Sequence, residues 1–347
     1  MRAIRFGVIG SGFMGLTHAA AIAKTEGAEL AAIAGGRRAA GLAQQYGVPV
    51  EPDAATLIDR ADIDAIVITT PHHLHARDTL HAFAAGKHVL VEKPMATSLE
   101  DCDAMMETAA KSRRVLAVGF QQRFRHNNKE ARRLVREGAL GKLYMAQINM
   151  LASVQPMRAD PGFAASWEWW SDPRSLGHII NAGPHAVDLM RWMFGAEVES
   201  VIAFCRTFVP GAQVEDTTAA LLGLNNGAVC AFTSCLLAAP PSFPGEEFRF
   251  RLLGSKAVLD LDPYTELRLS HEGALVTESV QPPVGHQDSA TLVNPVRIKA
   301  YEEQLTQFLA AIRGSASEIA NGEDGRVAVA VCLAMLESSR TSTVQRL

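Results

Sequence analysis

A short apolar run, Ile4–Ile9, leads directly into Gly10-Ser11-Gly12-Phe13-Met14-Gly15, and the Ala-rich segment Leu16–Lys24 follows. A strand, a G-x-G-x-x-G turn and a helix in that order leave few folds open. Gly10 permits the tight turn, Gly12 lets backbone approach a phosphate, and Gly15 lets the helix pack on the strand. The N–H groups at the start of that helix attract an anion. Gly10, Gly12, Phe13, Met14 and Gly15 are therefore the expected cradle for a dinucleotide pyrophosphate.

The next hundred residues keep the same alternation. Strand patterns at Glu29–Ala34, Ala65–Thr69, His88–Val91 and Val115–Val118 are separated by helical patterns at Ala39–Tyr46, His75–Ala85 and Leu99–Lys111. Strands joined by helical crossovers pair in parallel, which predicts an α/β domain with a doubly wound sheet over residues 1–122. Ligands in such sheets bind at the carboxyl ends of the strands. Gly10, Thr70 and Glu92 all fall there.

After a charged helix at Asn128–Glu137 the pattern changes. Long β segments follow at Lys142–Ala152, Glu197–Phe208, Glu215–Leu224, Ala228–Leu237, Glu247–Leu253 and Leu267–Leu269. Turn signals such as Asn226-Gly227 and Glu272-Gly273 predict an open, mainly antiparallel sheet in a second, α+β domain over 123–347. One helix, Ile179–Phe194, interrupts the strands. Two more, near Lys299–Arg313 and Gly325–Thr341, close the chain and are free to return to the first domain. Val284–Pro295 shows no periodicity and reads as a loop.

Composition removes several classes of function. A net charge of −4 over 347 residues gives no electrostatic footprint for nucleic acid or an anionic membrane. The five cysteines form no C-x-x-C pair and read as reduced thiols, not as a metal site. The first residues are spent on a strand and not on a leader, and Val327–Leu336 is about half a membrane span. A cytoplasmic protein with a small-molecule partner and no metal is expected.

Three segments carry chemistry. Thr70-Pro71-His72-His73-Leu74-His75 follows the third strand, so Thr70, Pro71, His72 and His75 are expected along the cofactor; an ordinary strand-to-helix turn is the alternative. Glu92-Lys93-Pro94 follows the next strand, and Glu92 and Lys93 are expected at the cofactor. A lysine there, beside a cofactor ring, can lose enough pKa to exchange a proton with a hydroxyl, whereas a surface Lys–Glu pair would do nothing. In Ser175–Asp188, helical spacing sets Asn181, His185 and Asp188 on one face, with His185 a natural acid/base or else a satisfied core histidine. A metal site of His178, His185 and Asp188 is disfavoured, because His178 stands nearly two turns away. Substrate walls are expected from Gln121, Arg123 and Ser166–Trp170. Trp169 and Trp170 would stack on a sugar or cyclohexadiene face, or else pack in a core or interface.

Together these segments resemble the Gfo/Idh/MocA family, the relatives of glucose–fructose oxidoreductase and inositol dehydrogenase. The resemblance rests on GVIGSGFMG, TPHHLHARDTLHAFAAGKHVLVEKPMA, VGFQQRFRHN with EGALGKLY, and NAGPHAVDLMRW. It implies an N-terminal Rossmann domain, a C-terminal open sheet that also serves oligomerisation, and a homodimer or homotetramer. It further implies hydride transfer between NAD(P) and a secondary alcohol or ketone of a cyclic polyol, sugar or related hydroxylated ring, a dihydrodiol included. By resemblance Lys93 is the motif lysine and His185 the acid/base. The family's usual aspartate four residues earlier is Asn181, which can orient a hydroxyl but cannot take its proton. Its common GGG is replaced by Ser175-Leu176-Gly177. An NAD-assisted glycoside hydrolase and a non-catalytic NAD(P)-binding regulator are the other functions the resemblance admits.

NAD binding would want an acid about twenty residues past the glycines; the chain has Gly35-Gly36-Arg37-Arg38. Two guanidiniums can bind a 2′-phosphate that a carboxylate would repel, so NADP is expected ahead of NAD. The alternative is that Arg37 and Arg38 are simply a solvated first turn.

Overall fold

The structure is a computed structural model and describes residues 2–151, 172–237, 245–281 and 295–347. It divides into two compact units, Met1–Gln121 with Gly285–Val327, and Gln122–Val284 with Ala328–Leu347.

The first unit follows the chain through β1 (Ile4–Ile9), α1 (Phe13–Ile22), β2 (Ala28–Ala34), α2 (Ala39–Tyr46), β3 (Val50–Glu51), α3 (Ala54–Ile58), β4 (Ala65–Ile68), α4 (His75–Ala84), β5 (His88–Val91), α5 (Leu99–Ser112) and β6 (Leu116–Val118). The six strands are parallel in the order β3-β2-β1-β4-β5-β6. Strand order reverses between β1 and β4, the crevice where a doubly wound sheet takes its ligand. The four residues of β4 and the last four of β1 are buried, as a sheet covered on both faces requires. The helix Pro295–Ile312 completes the core, with Tyr301, Leu305, Phe308 and Leu309 packed among Phe6, Val8 and Ala19–Ile22.

The second unit adds α6 (His126–Arg136), β7 (Leu143–Leu151), α7 (His178–Phe194), β8 (Val198–Arg206), β9 (Thr217–Leu224), β10 (Val229–Cys235), β11 (Arg249–Gly254), β12 (Val258–Leu261), β13 (Glu266–His271), β14 (Ala274–Val280) and β15 (Gln345–Arg346). They form one nine-stranded sheet, β14-β13-β12-β11-β7-β10-β9-β8-β15. Every neighbouring pair is antiparallel except β7 with β10, which makes the sheet mixed. Burial alternates strictly along β9, and one face leaves Ile202, Phe204, Leu221 and Val229 exposed.

Five short elements escape the sequence patterns: β3, α3, β12, β14 and β15. In β12 the apolar run is broken by Asp260, whose carboxylate is buried against Arg249 and Arg268. All but one residue of β14 are exposed, so it shows no buried face to read. The expected loop at Val284–Pro295 lies outside the described residues up to 294, and Pro295 itself opens a helix. Ser166–Trp170, with Trp169 and Trp170, also lies outside them. No helix among the described residues is long and apolar enough to cross a membrane.

Candidate active site

In the first unit the three motif glycines have three different reasons to lack a side chain. Gly10 has φ +106°, and a Cβ there would lie 2.4 Å from Thr69 Oγ1; one on Gly15 would lie 2.0 Å from the Gly10 carbonyl oxygen. Both are demanded by the protein's own packing. A Cβ on Gly12 would meet no atom of the described residues within 4 Å, so among them this glycine faces open space. Gly12 is the N-cap of α1, and no side chain caps the first turn. That turn leaves helix-end N–H groups for an outside acceptor. Ser11 Oγ accepts the Arg38 N–H at 3.1 Å, tying the glycine turn to the β2–α2 loop. Arg37 and Arg38 are exposed, and neither guanidinium has a hydrogen bond or ion pair among the described residues.

The loop after β4 is held by His75. Its ring is fully buried, with Nδ1 2.7 Å from the Pro94 carbonyl oxygen and Nε2 2.8 Å from that of Thr70. Each nitrogen faces a carbonyl and the one that carries the proton donates to it, so the ring sits between the Thr70–Pro71 loop and the Glu92-Lys93-Pro94 loop instead of lying open along a ligand. Burial pushes this imidazole's pKa down, against the pull of the two carbonyls. Thr70 Oγ1 donates to Asp78 at 3.2 Å, and the His72 ring stacks edge-on to His75.

At the end of β5, Glu92 is buried. Its Oε1 lies 2.7 Å from His18 Nε2 on α1, and its Oε2 accepts the Lys93 N–H at 3.3 Å. The Lys93–Pro94 peptide is cis. Lys93 keeps some surface, yet burial dominates at its amine and lowers its pKa, with Glu92 pulling the other way. Gln121 is buried, and its Oε1 has no hydrogen-bond partner among the described residues. Phe13, 41 % exposed, carries the Arg297 guanidinium 3.8 Å above its ring centre.

In the second unit α7 presents the other candidates. Asn181 and His185 are half-buried, while Asp188 is fully buried and bonded to Arg123: Nε and a terminal nitrogen donate to its two oxygens at 2.9 and 2.5 Å. Arg123, expected in a substrate wall, thus spends its fork on Asp188, and Asp188 does not stand open beside His185. Entry to α7 is held by Glu215. It accepts the Ile179 N–H and the Thr218 hydroxyl through its carboxylate, and the His178 N–H through its carbonyl at 3.0 Å. A Cβ on Gly177 (φ +87°) would lie 2.9 Å from that carbonyl oxygen. Burial pushes the Glu215 carboxyl up to about 7.

Known proteins share this plan. A model described as "Oxidoreductase family, NAD-binding Rossmann fold" matches residues 4–120, and one described as "GFO/IDH/MocA C-terminal domain" matches residues 128–260. The chain belongs to the Gfo/Idh/MocA oxidoreductase family. It is 28% identical to inositol 2-dehydrogenase 2 of Saccharopolyspora erythraea over 98% of this chain and 94% of that protein. It is 30% identical to levoglucosan dehydrogenase of Pseudarthrobacter phenanthrenivorans over 65% of this chain and 60% of that protein. A structure titled as a putative myo-inositol dehydrogenase from Sinorhizobium meliloti superposes with TM-score 0.80 at 25% identity, covering 99% of each chain.

For an NAD-binding Rossmann oxidoreductase the glycine turn has the form a dinucleotide needs: open space over Gly12, and an uncapped helix start behind it. This member's departure from the family's GGG also has a visible cost. Leu176 sits in the left-handed region at φ +59°, where a Cβ is penalised and glycine is not. No group of three or more His, Cys, Asp or Glu suited to a metal is found among the described residues. His18 and Glu215 were not anticipated from the sequence. A lone histidine in an Ala-rich helix, and an acid pair just before a strand, were the available signals.

Proposed function

We propose that this oxidoreductase transfers hydride between NAD(P) and a secondary alcohol or ketone on a cyclic polyol, a sugar or a related hydroxylated ring. The observation that carries it is Lys93: an amine of lowered pKa at the carboxyl end of β5, in the unit that holds the dinucleotide cradle. The nicotinamide, when bound, accepts or returns the hydride. Lys93, its amine's pKa lowered by burial, takes the hydroxyl proton or returns it to the ketone. His185 serves the same proton traffic, and Asn181 orients the hydroxyl without accepting its proton. Gln121 Oε1, buried and without a hydrogen bond among the described residues, is suited to a substrate hydroxyl or the carboxamide of the cofactor.

NADP is preferred over NAD in this reading, because the guanidiniums of Arg37 and Arg38, unpaired among the described residues, flank a loop that has no acid to hold a ribose 2′-hydroxyl. The apolar sheet face of Ile202, Phe204, Leu221 and Val229 supports a homodimer or homotetramer. Five unpaired cysteines fit a cytoplasmic setting. Neither the glycoside hydrolase nor the regulator gains a feature of its own. The test is fluorescence titration with NADPH and NADH, then an absorbance screen of cyclitols, sugars and dihydrodiols for change at the reduced ring. Tight NADPH binding with turnover of a cyclic polyol is expected; binding without turnover of any hydroxylated ring overturns the reading.

A further inference from the structure

We propose that Arg297 is a cofactor-binding residue, which supplies positive charge to the diphosphate of the dinucleotide from its seat on Phe13. The inference rests on the cofactor reading above and adds a group from the far end of the chain. A diphosphate brings negative charge to the turn Gly10–Gly15, where a helix start offers the equivalent of about half a positive charge. Neither the turn nor α1 carries a lysine or arginine, and the ring of His18, the one titratable side chain there, is engaged with buried Glu92. The turn therefore lacks a cation of its own.

Arg297 provides one. It lies in the first turn of the helix Pro295–Ile312, its guanidinium 3.8 Å from the centre of the Phe13 ring and 5.9 Å from that of Tyr301. Phe13 directly follows Gly12, the glycine that opens onto free space, and remains exposed enough to act as a platform. An aromatic face steadies a guanidinium without neutralising it. No carboxylate pairs with Arg297 among the described residues, so its donors are available to an anion. The Tyr301 ring meets the His18 ring edge-on at 5.4 Å, which ties the arginine's helix to α1 and fixes the platform.

The test is fluorescence titration of the full chain with NADPH and with NADH, for the wild-type protein, Arg297→Ala and Arg297→Lys, at low salt and at about 0.5 M salt. Removing a charged donor from an anion is expected to raise both Kd values about tenfold in Arg297→Ala, with Arg297→Lys in between and the gap narrowing in salt. Thermal unfolding of the cofactor-free variants checks that they fold; should Arg297→Ala not, Phe13→Leu removes the platform and is expected to weaken both dinucleotides. Unchanged Kd values overturn this inference and leave the cofactor reading standing. Weakening of NADPH alone moves Arg297 to the ribose phosphate and overturns the diphosphate assignment. A wild-type protein that binds neither dinucleotide overturns the cofactor reading, and this inference with it.

Discussion

The cradle of the first unit and the α7 face of the second are built on opposite principles. In the first, candidate residues stand where parallel strands end, and main chain sets their positions. Gly10 and Gly15 are pressed against Thr69 and Gly10, and His75 bridges two carbonyls. In the second, Asn181 and His185 ride on one helix whose entry and flank are held by side chains, Glu215 at Ile179 and Arg123 at Asp188. A main-chain site is vulnerable to an added methyl group. A side-chain site is vulnerable to a lost charge.

The sharpest way to break the comparison is Lys93→Met. If the lysine handles the proton, kcat falls by about 10²–10⁴ while dinucleotide binding survives in the same titration. Full turnover removes Lys93 from the chemistry and leaves α7 as the sole source of acid and base.

Next in size is Asp188→Asn. It leaves the Arg123 guanidinium buried without its counter-charge, and a loss of about 3–5 kcal/mol in urea unfolding is expected. A loss below 1 kcal/mol would mean that the Arg123–Asp188 pair does not hold α7.

Glu215→Gln tests the other anchor through pH. The native carboxyl is raised from its ordinary 4.5 to about 7, so the native state binds its proton more tightly than the unfolded state does. This group's contribution to stability is therefore intact below pH 4.5 and falls as pH rises to about 7. At about 1.4 kcal/mol per unit, that is about 3–4 kcal/mol in all. Glutamine keeps an acceptor for Ile179 and removes the ionisation. Stability of the variant measured from pH 4 to 8 should lose that slope, and an unaltered slope rules out a raised Glu215.

Gly12→Ala and Gly15→Ala form a matched pair within the cradle. Overpacking against backbone should destabilise Gly15→Ala by about 1–3 kcal/mol, whereas Gly12→Ala meets nothing among the described residues and should leave the melting temperature unaltered. Its effect is expected in the dinucleotide titration alone. Equal binding by Gly12→Ala and wild type would move the pyrophosphate elsewhere.

The smallest effect is expected from Leu176→Gly, which relieves a left-handed leucine at the mouth of α7. A gain of up to about 1 kcal/mol, offset by lost contacts of a half-buried side chain, should appear in thermal unfolding.

The same contrast explains what could be read from the chain. Gly10, Gly12 and Gly15 were legible because their constraint is local, lying within six residues of one another. The parallel strands were legible because their burial on both faces makes continuous apolar runs. The partners of α7 were not. Asp188 lies on the helix face shared by Asn181 and His185, and only the tertiary structure brings Arg123, 65 residues earlier, onto it. Glu92 was read as a flank of Lys93, and its bond to His18 spans 74 residues. Asp260 hid β12 for a related reason: its neutralising arginines belong to neighbouring strands.

The parallel pairing of β7 with β10 has a consequence for how the second unit assembles. On one flank of β7, β10, β9 and β8 follow one another as a meander; on the other, β11 to β14 do the same. Each can zip locally, but neither contains β7, which reaches them only after long loops have closed. Its nine residues act as a seam between two separately formed halves. A slow step in refolding should therefore belong to the stitching of that seam, and substitutions in β7 should retard folding more than equal ones in β9 or β13.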